Sequence, residues 1–340
     1  MEPWPYNVPV RTIAVINQKG GVGKTTTVAN LGAALAARGH DVCLIDLDPQ
    51  AHLTLHMGVE PGAPALSMYD VLTSEATLAE AVMSVAPHLW LAPSVIDLAA
   101  AEVELVGTVG REQILRDSLA ATPLPCELAL IDCPPSLGLL TLNALASADD
   151  VLIPLQPHFL GLHGLGKLLE TTALVQKRIN PRLRVAGVVL CMYESTTRLS
   201  AEVMADLRNF FASARQSPSP WSGARIFGNV VRRNVKLAEC PSYGKTIFQY
   251  EPHSHGAEDY NALADEFLAM MAGGDLAAAT PSSQAPREPS PAEDATSSSP
   301  QPASAVAAQE VQEAHQTQAT APSGPIAPAA ASPEPSPRTP

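Results

Sequence analysis

The chain has few aromatic residues and no long apolar run, and these absences exclude several classes of protein. Aromatic residues make up 4% of the 340 residues, whereas hydrophobic residues make up 46%, so we expect a core of mainly aliphatic side chains. No apolar run approaches the roughly 18 residues that a membrane-spanning helix needs. Residues 1–5 carry neither a basic nor an apolar segment, so no signal peptide is expected.

Paired cysteine motifs are also lacking. The five cysteines are scattered without any C-x-x-C pair, which indicates small buried hydrophobic side chains in a reducing cytoplasm. They are Cys43, Cys126, Cys133, Cys191 and Cys240. Cys133 directly follows an aspartate at a predicted strand end, so a metal or redox role for this thiol is an open alternative.

Charge is present but unevenly distributed along the chain. The net charge of −13 argues against nucleic acid as a partner when the chain is taken as a whole. Residues 160–250, however, contain 13 of the 21 Lys and Arg and 5 of the 34 Asp and Glu, which leaves that stretch at about +8. This asymmetry suggests a polyanion-binding face, with a solvated basic surface that has no partner as the alternative.

Apolar, strand-like runs alternate with helical patterns along most of the chain. The predicted strands span 12–16, 42–47, 89–92, 128–132, 151–155, 185–191 and 225–227. The predicted helices span 24–38, 95–106, 110–121, 137–146, 162–178, 197–213 and 255–271. This alternation predicts an α/β fold with a doubly wound, mainly parallel sheet that is covered by helices on both faces.

The segment between the first strand and the first helix has the composition of a phosphate-binding loop. Gly23-Lys24-Thr25 is the second half of the G-x-x-x-x-G-K-[ST] motif, which places Lys24 on the β- and γ-phosphates of ATP and Thr25 on Mg²⁺. Backbone N–H groups at the helix start add to this anion site. The predicted nucleotide-binding residues are Lys19, Gly20, Gly21, Val22, Gly23, Lys24, Thr25 and Thr26. The fold is therefore expected to be of the P-loop NTPase type.

The loop departs from the ordinary motif in two ways. Gln18 stands where the first glycine belongs, and Lys19 adds a second cation. A second lysine this close to Lys24 cannot easily reach the same phosphate within one subunit. We therefore expect Lys19 to reach a nucleotide that is held by a partner subunit.

Aspartates stand at the carboxyl ends of two further predicted strands, which is the edge where an α/β sheet binds nucleotides. Asp46 and Asp48 stand at the end of the strand 42–47. One of them is expected to organise the Mg²⁺ shell and the other to orient or deprotonate the attacking water. Asp132 ends the strand 128–132 and is expected to hold Mg²⁺ directly or through water. The alternative for Asp46 and Asp48 is that both only cap a turn.

A short basic segment, residues 231–236, lies within the positively charged stretch and has three cations in five residues. Phosphate contacts from Arg and Lys give affinity for DNA without sequence information. The predicted DNA-binding residues are Arg198, Arg225, Arg232, Arg233 and Lys236. The structural alternative is that one or two of these arginines pair with Glu239 or Glu202.

The C-terminal part of the chain has a different composition. Residues 277–340 contain 13 prolines and no aromatic or leucine residue. Such a segment cannot bury enough apolar area to offset its ordering entropy. We therefore predict an irregular N-terminus at 1–10, an ATPase domain at 11–272 and a disordered tail at 277–340.

Together these motifs resemble those of the ParA/Soj ATPases, in the deviant Walker A group that also contains MinD. The resemblance covers roughly residues 11–271. Besides the two-lysine loop, it rests on the segments 46–50, 131–138, 151–156 and 233–239. It implies a sandwich dimer that forms on ATP binding, binds DNA non-specifically and positions a chromosome, a plasmid or another cargo.

The resemblance also implies roles for individual residues. Lys19 would be the signature lysine that crosses the dimer interface, and Asp48 the aspartate that activates water. Asp132 would be the second carboxylate of the Mg²⁺ shell, and Arg233 a DNA-binding arginine. A ParB-like partner would stimulate hydrolysis, and the protein would be cytoplasmic and nucleoid-associated.

The chain also departs from the family pattern. Thr196 stands where Soj-like chains usually carry an arginine, so we expect that DNA contact to be either missing or displaced to Arg198. The sequence shows no basic amphipathic C-terminal helix of the kind that takes MinD to membranes, so no membrane partner is expected. A MinD-like positioning ATPase and an interaction switch without DNA binding are the alternative functions.

Overall fold

A nine-stranded sheet lies at the centre of the computed structural model, which describes residues 10–121, 123–194 and 198–273. Residues 1–9 of the predicted irregular N-terminus and the predicted tail at 277–340 lie outside the described residues. Within the described part of the chain, no helix combines the length and apolarity needed to cross a membrane.

Strands and helices alternate along the chain. The strands are β1 (Arg11–Val15), β2 (Val42–Asp46), β3 (Met83–Ala86), β4 (Leu89–Ala92), β5 (Leu128–Asp132), β6 (Asp150–Leu155), β7 (Arg184–Tyr193), β8 (Arg225–Ile226) and β9 (Val231–Arg232). The helices are α1 (Lys24–Ala36), α2 (His52–His56), α3 (Met68–Leu72), α4 (Leu78–Ala81), α5 (Leu98–Glu104), α6 (Ile114–Ala121), α7 (Leu139–Ser147), α8 (Phe159–Arg178), α9 (Arg198–Ala214), α10 (Val235–Glu239), α11 (Ile247–Tyr250) and α12 (His255–Met271).

The strand order brings the ends of three strands together. The order is β3-β4-β2-β5-β1-β6-β7-β8, with β9 also paired to β7, and all these pairs are parallel except β3 with β4. In register, Asp132 of β5 pairs with Val15 of β1 on one side and with Asp46 of β2 on the other. The segments that follow these three strands therefore meet at the carboxyl edge of the sheet, where α/β folds bind ligands.

Alternate residues of the central strands pack into two hydrophobic layers. In β5, Ala129 and Ile131 face one layer, and Leu128 and Leu130 face the other. Helices α3 to α9 contribute to the first layer, and α1, α2 and α10 to α12 contribute to the second. Burial on both faces explains why these strands are apolar without alternation.

The predicted doubly wound, mainly parallel sheet is confirmed. All seven predicted strands are present, with ends shifted by at most two residues. The sequence did not reveal β3 and β9, nor the short helices α2, α3, α4, α10 and α11. These elements span two to five residues, which is too short to show a period.

The predicted burial of the cysteines is confirmed, and the last helix also packs into the core. Tyr260, Leu263 and Phe267 of α12 are buried, and the hydroxyl of Tyr260 lies 3.2 Å from Thr27 Oγ1 on α1. The five cysteines are all buried and free. Burial raises the pKa of the Cys133 thiol well above its usual value, so this side chain is a neutral core residue.

Candidate nucleotide-binding site

The loop between β1 and α1 turns at two glycines. Gly21 and Gly23 have φ of +72° and +95°, a region that residues with a side chain rarely adopt. Gly23 directly precedes α1, and its carbonyl accepts a hydrogen bond from the N–H of Thr27 at 2.9 Å. The N–H groups at the start of a helix have no partner within the helix, so this turn is an anion site.

Three side chains with complementary chemistry lie at this turn. Lys24 is buried, and the hydroxyl of Thr25 donates to Asp132 Oδ2 at 2.6 Å. Asp132 is fully buried, and its Oδ1 has no hydrogen-bond partner among the described residues. Burial, and secondarily the carboxylate of Asp46, raises the pKa of Asp132. A buried carboxylate oxygen without a partner, beside a threonine hydroxyl, fits Mg²⁺, which prefers oxygen ligands.

The two aspartates at the end of β2 have different environments. Asp46 is fully buried and accepts from the N–H of Thr54 at 2.9 Å, from its hydroxyl at 2.7 Å and from the N–H of Asp48 at 3.1 Å. Burial raises the pKa of Asp46 to about 7. Asp48 lines the pocket and accepts from the N–H of Gln50 at 3.0 Å. Asp48 is therefore the carboxylate that can reach a ligand, and Asp46 holds it in position.

Lys19 lies at the exposed rim of the loop rather than inside it. Its N–H donates to Asn17 Oδ1 at 3.0 Å, and Asn17 Nδ2 donates to the carbonyl of Pro154 in β6 at 2.7 Å. Its Nζ contacts Nε2 of His158. The backbone at Lys19 is thus fixed to the sheet, and its side chain does not line the pocket beside the loop.

Lys24, Thr25 and Asp48 line one pocket of about 980 Å³, which is in the range of small-molecule sites. Six of the eight predicted nucleotide-binding residues line it: Gly20, Gly21, Gly23, Lys24, Thr25 and Thr26. Val22 is instead buried beneath the loop. The far end is lined by Gly58, Tyr243 and Gly244, and the ring of Tyr243 stacks on Tyr250 at 4.9 Å. The pocket therefore has room beyond the phosphate loop.

His56 lies in the wall of this pocket, at the end of α2. It is fully buried, and neither ring nitrogen has a hydrogen bond of acceptable geometry among the described residues. Burial lowers the pKa of His56 to about 4, with a smaller opposing effect from the backbone of Lys245. The imidazole is therefore neutral near pH 7.

Comparison with known proteins assigns the family. A family model described as an AAA domain matches residues 10–185. Over 260 residues the chain is 42% identical to the sporulation initiation inhibitor protein Soj of Bacillus subtilis (strain 168), with 76% of this chain and 98% of that protein covered. The chain belongs to the ParA/Soj family.

A further relative and a solved structure are also similar to this chain. The chromosome partitioning protein ParA of Caulobacter vibrioides (strain NA1000 / CB15N) is 42% identical over 263 residues, with 76% of this chain and 94% of that protein covered. A solved structure is similar at a TM-score of 0.65 and 36% identity, with 77% of this chain and 96% of that chain covered. It is described as cobyrinic acid a,c-diamide synthase from Mycobacterium smegmatis with bound ATP analogue and magnesium.

In this ParA/Soj chain, the basic segment is partly neutralised. Arg232 Nε and Nη2 donate to Asp259 at 2.6 to 3.1 Å, and Nη2 also donates to Glu258 at 3.2 Å. Asp259 is 8% exposed. Arg232 therefore ties β9 to α12, which is the structural role considered above, although with other acidic partners than Glu239 and Glu202.

The other two cations of the segment differ in availability. Lys236 Nζ lies 2.8 Å from Glu239 Oε2 and 5.6 Å from the centre of the Tyr250 ring. Arg233 lies 3.0 Å from Glu194, and the two side chains are 73% and 47% exposed. An ion pair between two exposed groups is weak. Arg233 is therefore the cation of this segment that an external anion can most easily reach.

Arg225 does not lie on the same surface as the basic segment. Along β7, Arg225 pairs with Gly187, whereas Arg232 pairs with Tyr193. Six residues of strand correspond to about 20 Å. The predicted DNA-binding residues are therefore divided between two ends of β7, and Arg198 is the first residue of α9.

Sequence patterns missed several residues of the site. His158 contacts Lys19, and the hydroxyl of Ser94 donates to the carbonyl of Asp48 at 2.8 Å. Both contacts join segments that are distant in sequence, so no local pattern indicates them. Thr196, where the family arginine is absent, lies outside the described residues.

Proposed function

We propose that this protein is a Mg²⁺-dependent ATPase that dimerises on ATP binding, binds DNA non-specifically and positions a chromosome, a plasmid or another cargo. The observation that carries the proposal is that Lys24, Thr25 and Asp48 line one pocket, and that Asp132 accepts a hydrogen bond from Thr25. The names of its Soj and ParA relatives support the partitioning role. A ParB-like activator and a cytoplasmic, nucleoid-associated location complete the proposal.

The residues at the pocket have separate roles in phosphoryl transfer. Lys24 and the N–H groups of the loop hold the β- and γ-phosphates. Thr25 and Asp132 would hold Mg²⁺, which neutralises developing charge on the phosphate oxygens. Asp48 accepts a hydrogen bond from the attacking water and aims its oxygen at the γ-phosphorus. The bond between the γ-phosphorus and the bridging oxygen of the β-phosphate breaks as the new bond forms. The proton that the water loses passes through Asp48 to the released phosphate, which yields ADP and phosphate.

The position of Lys19 supports its role across a dimer interface. Its side chain is exposed and does not line the pocket of its own subunit, while its backbone is held by Asn17. The ATP of a partner subunit would draw Nζ away from His158. Dimerisation then depends on Lys19, whereas nucleotide binding depends on Lys24.

The proposed DNA face centres on Arg233, because this side chain is the most exposed cation of its segment. Lys236 and Arg198 are expected to contribute less to DNA affinity than Arg233. Arg232 contributes mainly by fixing β9 to α12. Arg225 is left out of the face, since it lies about 20 Å along β7 from Arg232.

Sedimentation of the wild type and of Lys19→Ala tests the dimer. With Mg²⁺, we expect the wild type to dimerise with ATP and to stay monomeric with ADP. Lys19→Ala should bind ATP and remain a monomer. Lys167→Ala, which removes an exposed lysine of α8, is the control and should dimerise normally. Full dimerisation of Lys19→Ala would show that the lysine does not act across the interface.

Co-sedimentation with DNA and with vesicles separates the alternatives. Binding to DNA that requires ATP supports the proposed function. Absence of DNA binding with ATP and Mg²⁺ at low salt would favour an interaction switch. Capture by anionic vesicles in place of DNA would favour a MinD-like ATPase.

A further inference from the structure

A second pocket lies at the amino edge of the sheet, opposite the nucleotide site. It has a volume of about 420 Å³. Four adjacent strands present a charged residue near their first positions: Arg11 in β1, Asp150 in β6, Arg184 in β7 and Arg225 in β8. None of these residues belongs to the nucleotide pocket.

The charges in this pocket do not cancel. Arg11 donates twice to Asp150 Oδ2, from Nε at 2.9 Å and from Nη2 at 2.7 Å. Arg184 Nη2 lies 3.6 Å from Asp150 Oδ1, which is beyond a normal hydrogen bond. Arg225 has no carboxylate within ion-pair distance among the described residues. Because one carboxylate faces three guanidinium groups, about two positive charges remain.

The walls of the pocket are held in place by backbone contacts. The N–H of Val185 donates to the carbonyl of Pro220 at 2.8 Å, which fixes the loop before β8 to the start of β7. A Cβ on Gly187 would lie 2.2 Å from the carbonyl oxygen of Arg225, so this position requires glycine. The close approach of the two backbones seats Arg225 against β7. The arginines are thus presented by strands rather than by mobile loops.

We propose that this pocket binds a small phosphate monoester. A phosphate monoester carries a charge of about −1.5 to −2 near pH 7, which matches the two uncancelled arginines. The planar guanidinium group forms paired hydrogen bonds with phosphate oxygens. Ser222 adds a hydroxyl, while Pro220 and Met270 add apolar surface for the organic part of the ligand. This inference does not depend on DNA binding at the opposite edge.

Calorimetric titration with glycerol 2-phosphate and with inorganic phosphate tests the proposal. The protein is first saturated with ADP and Mg²⁺, so that the phosphate loop does not compete. We expect one additional site, filled by both probes. Arg184→Gln and Arg225→Gln should each weaken binding about tenfold or more, since a charged hydrogen bond contributes roughly 1.5–3 kcal/mol. Two positions are used so that one misfolded variant does not decide the result.

Controls separate this site from general attraction between charges. Lys167→Gln removes an exposed cation of α8 outside the pocket and should leave the affinity within about twofold of the wild type, as expected for a distant screened charge. ATP turnover of Arg184→Gln should equal that of the wild type. Failure of both probes to bind, equal weakening in Lys167→Gln, or unchanged binding in the two pocket variants would overturn the proposal. Displacement of glycerol 2-phosphate by duplex DNA would overturn the small-molecule class.

Discussion

The nucleotide pocket and the basic segment differ in where the partners of their polar side chains lie along the chain. The geometry of the phosphate loop is set by its own backbone, through the positive φ of Gly21 and Gly23 and the start of α1. In the basic segment, Arg232 is held by Asp259, 27 residues further along the chain. Its availability is therefore set by the tertiary structure.

This difference explains why a sequence motif identifies the phosphate loop but not the availability of each cation. A loop that binds through consecutive backbone N–H groups carries its function in adjacent residues, so its spacing is informative. A run of cations only indicates local charge density. Whether each cation is free depends on carboxylates that the fold brings to it, as Arg232 and Arg233 demonstrate from adjacent positions.

The largest expected effect is at Lys24, where function depends on the local loop. Lys24→Ala should weaken ATP binding roughly 100-fold, since a charged hydrogen bond contributes about 1.5–3 kcal/mol and the lysine serves two phosphates. The melting temperature without nucleotide should change little. Binding of a fluorescent ATP analogue measures the loss, with Lys167→Ala as the control. Wild-type affinity in Lys24→Ala would contradict the role given to the local loop.

The next effect distinguishes Asp46, which ends β2, from Asp48, which follows that strand. Asp48→Asn should slow ATP turnover about 100-fold or more and leave nucleotide binding intact, because it removes a proton acceptor. Asp46→Asn is the matched change and should instead lower the free energy of unfolding by about 1–3 kcal/mol, since an amide N–H₂ then faces the N–H and O–H donors of Thr54. Turnover and thermal unfolding measure both, and an exchange of the two outcomes would contradict the assignment.

His56, in the pocket wall, is buried although neither of its ring nitrogens makes a hydrogen bond of acceptable geometry among the described residues. Its pKa is about 4 in the folded protein, against 6.5 for an unperturbed histidine, so only the unfolded chain binds a proton between these values. Stability should therefore fall as the pH drops from 6.5 to 4, by up to about 3 kcal/mol from this group. Unfolding of His56→Leu at several pH values should lack this contribution. The exposed neighbour variant His52→Leu should keep it.

The smallest expected effects distinguish Arg232 from Arg233 within the basic segment. Arg232→Ala should lower the free energy of unfolding by about 1–2 kcal/mol, because buried Asp259 loses a charged partner that is itself partly exposed. Arg233→Ala should change stability by less than about 0.5 kcal/mol, since its ion pair is exposed. Denaturant unfolding measures both variants. Equal losses would show that the two adjacent arginines have equivalent structural roles.

Much of the architecture could be predicted from the sequence for physical reasons. The central strands are buried on both faces, so they appear as compact apolar runs, and the phosphate loop repeats a spacing that its backbone geometry requires. Strand β9 spans only two residues and β3 is a four-residue edge strand, so neither produces a distinct pattern.

The finer features of the candidate site could not be predicted in the same way. The sequence places Asp46 and Asp48 side by side but does not say which one is bound by Thr54. The contact of His158 with Lys19 and the gathering of Arg11, Arg184 and Arg225 around one pocket arise from strand order. Strand order is a property of the whole fold rather than of any local segment.

Nucleotide-dependent binding to two unrelated DNA duplexes, measured across a range of salt concentrations, tests the central claim most directly. With ATP and Mg²⁺, we expect equal affinity for both duplexes and a linear fall of log affinity with log salt. ADP should abolish tight binding. Arg233→Ala should weaken binding to both duplexes alike and reduce the salt slope by about one unit. Absence of binding by the wild type with ATP at low salt would contradict the proposed DNA binding. An unchanged salt slope in Arg233→Ala would contradict the proposed phosphate contact of this arginine.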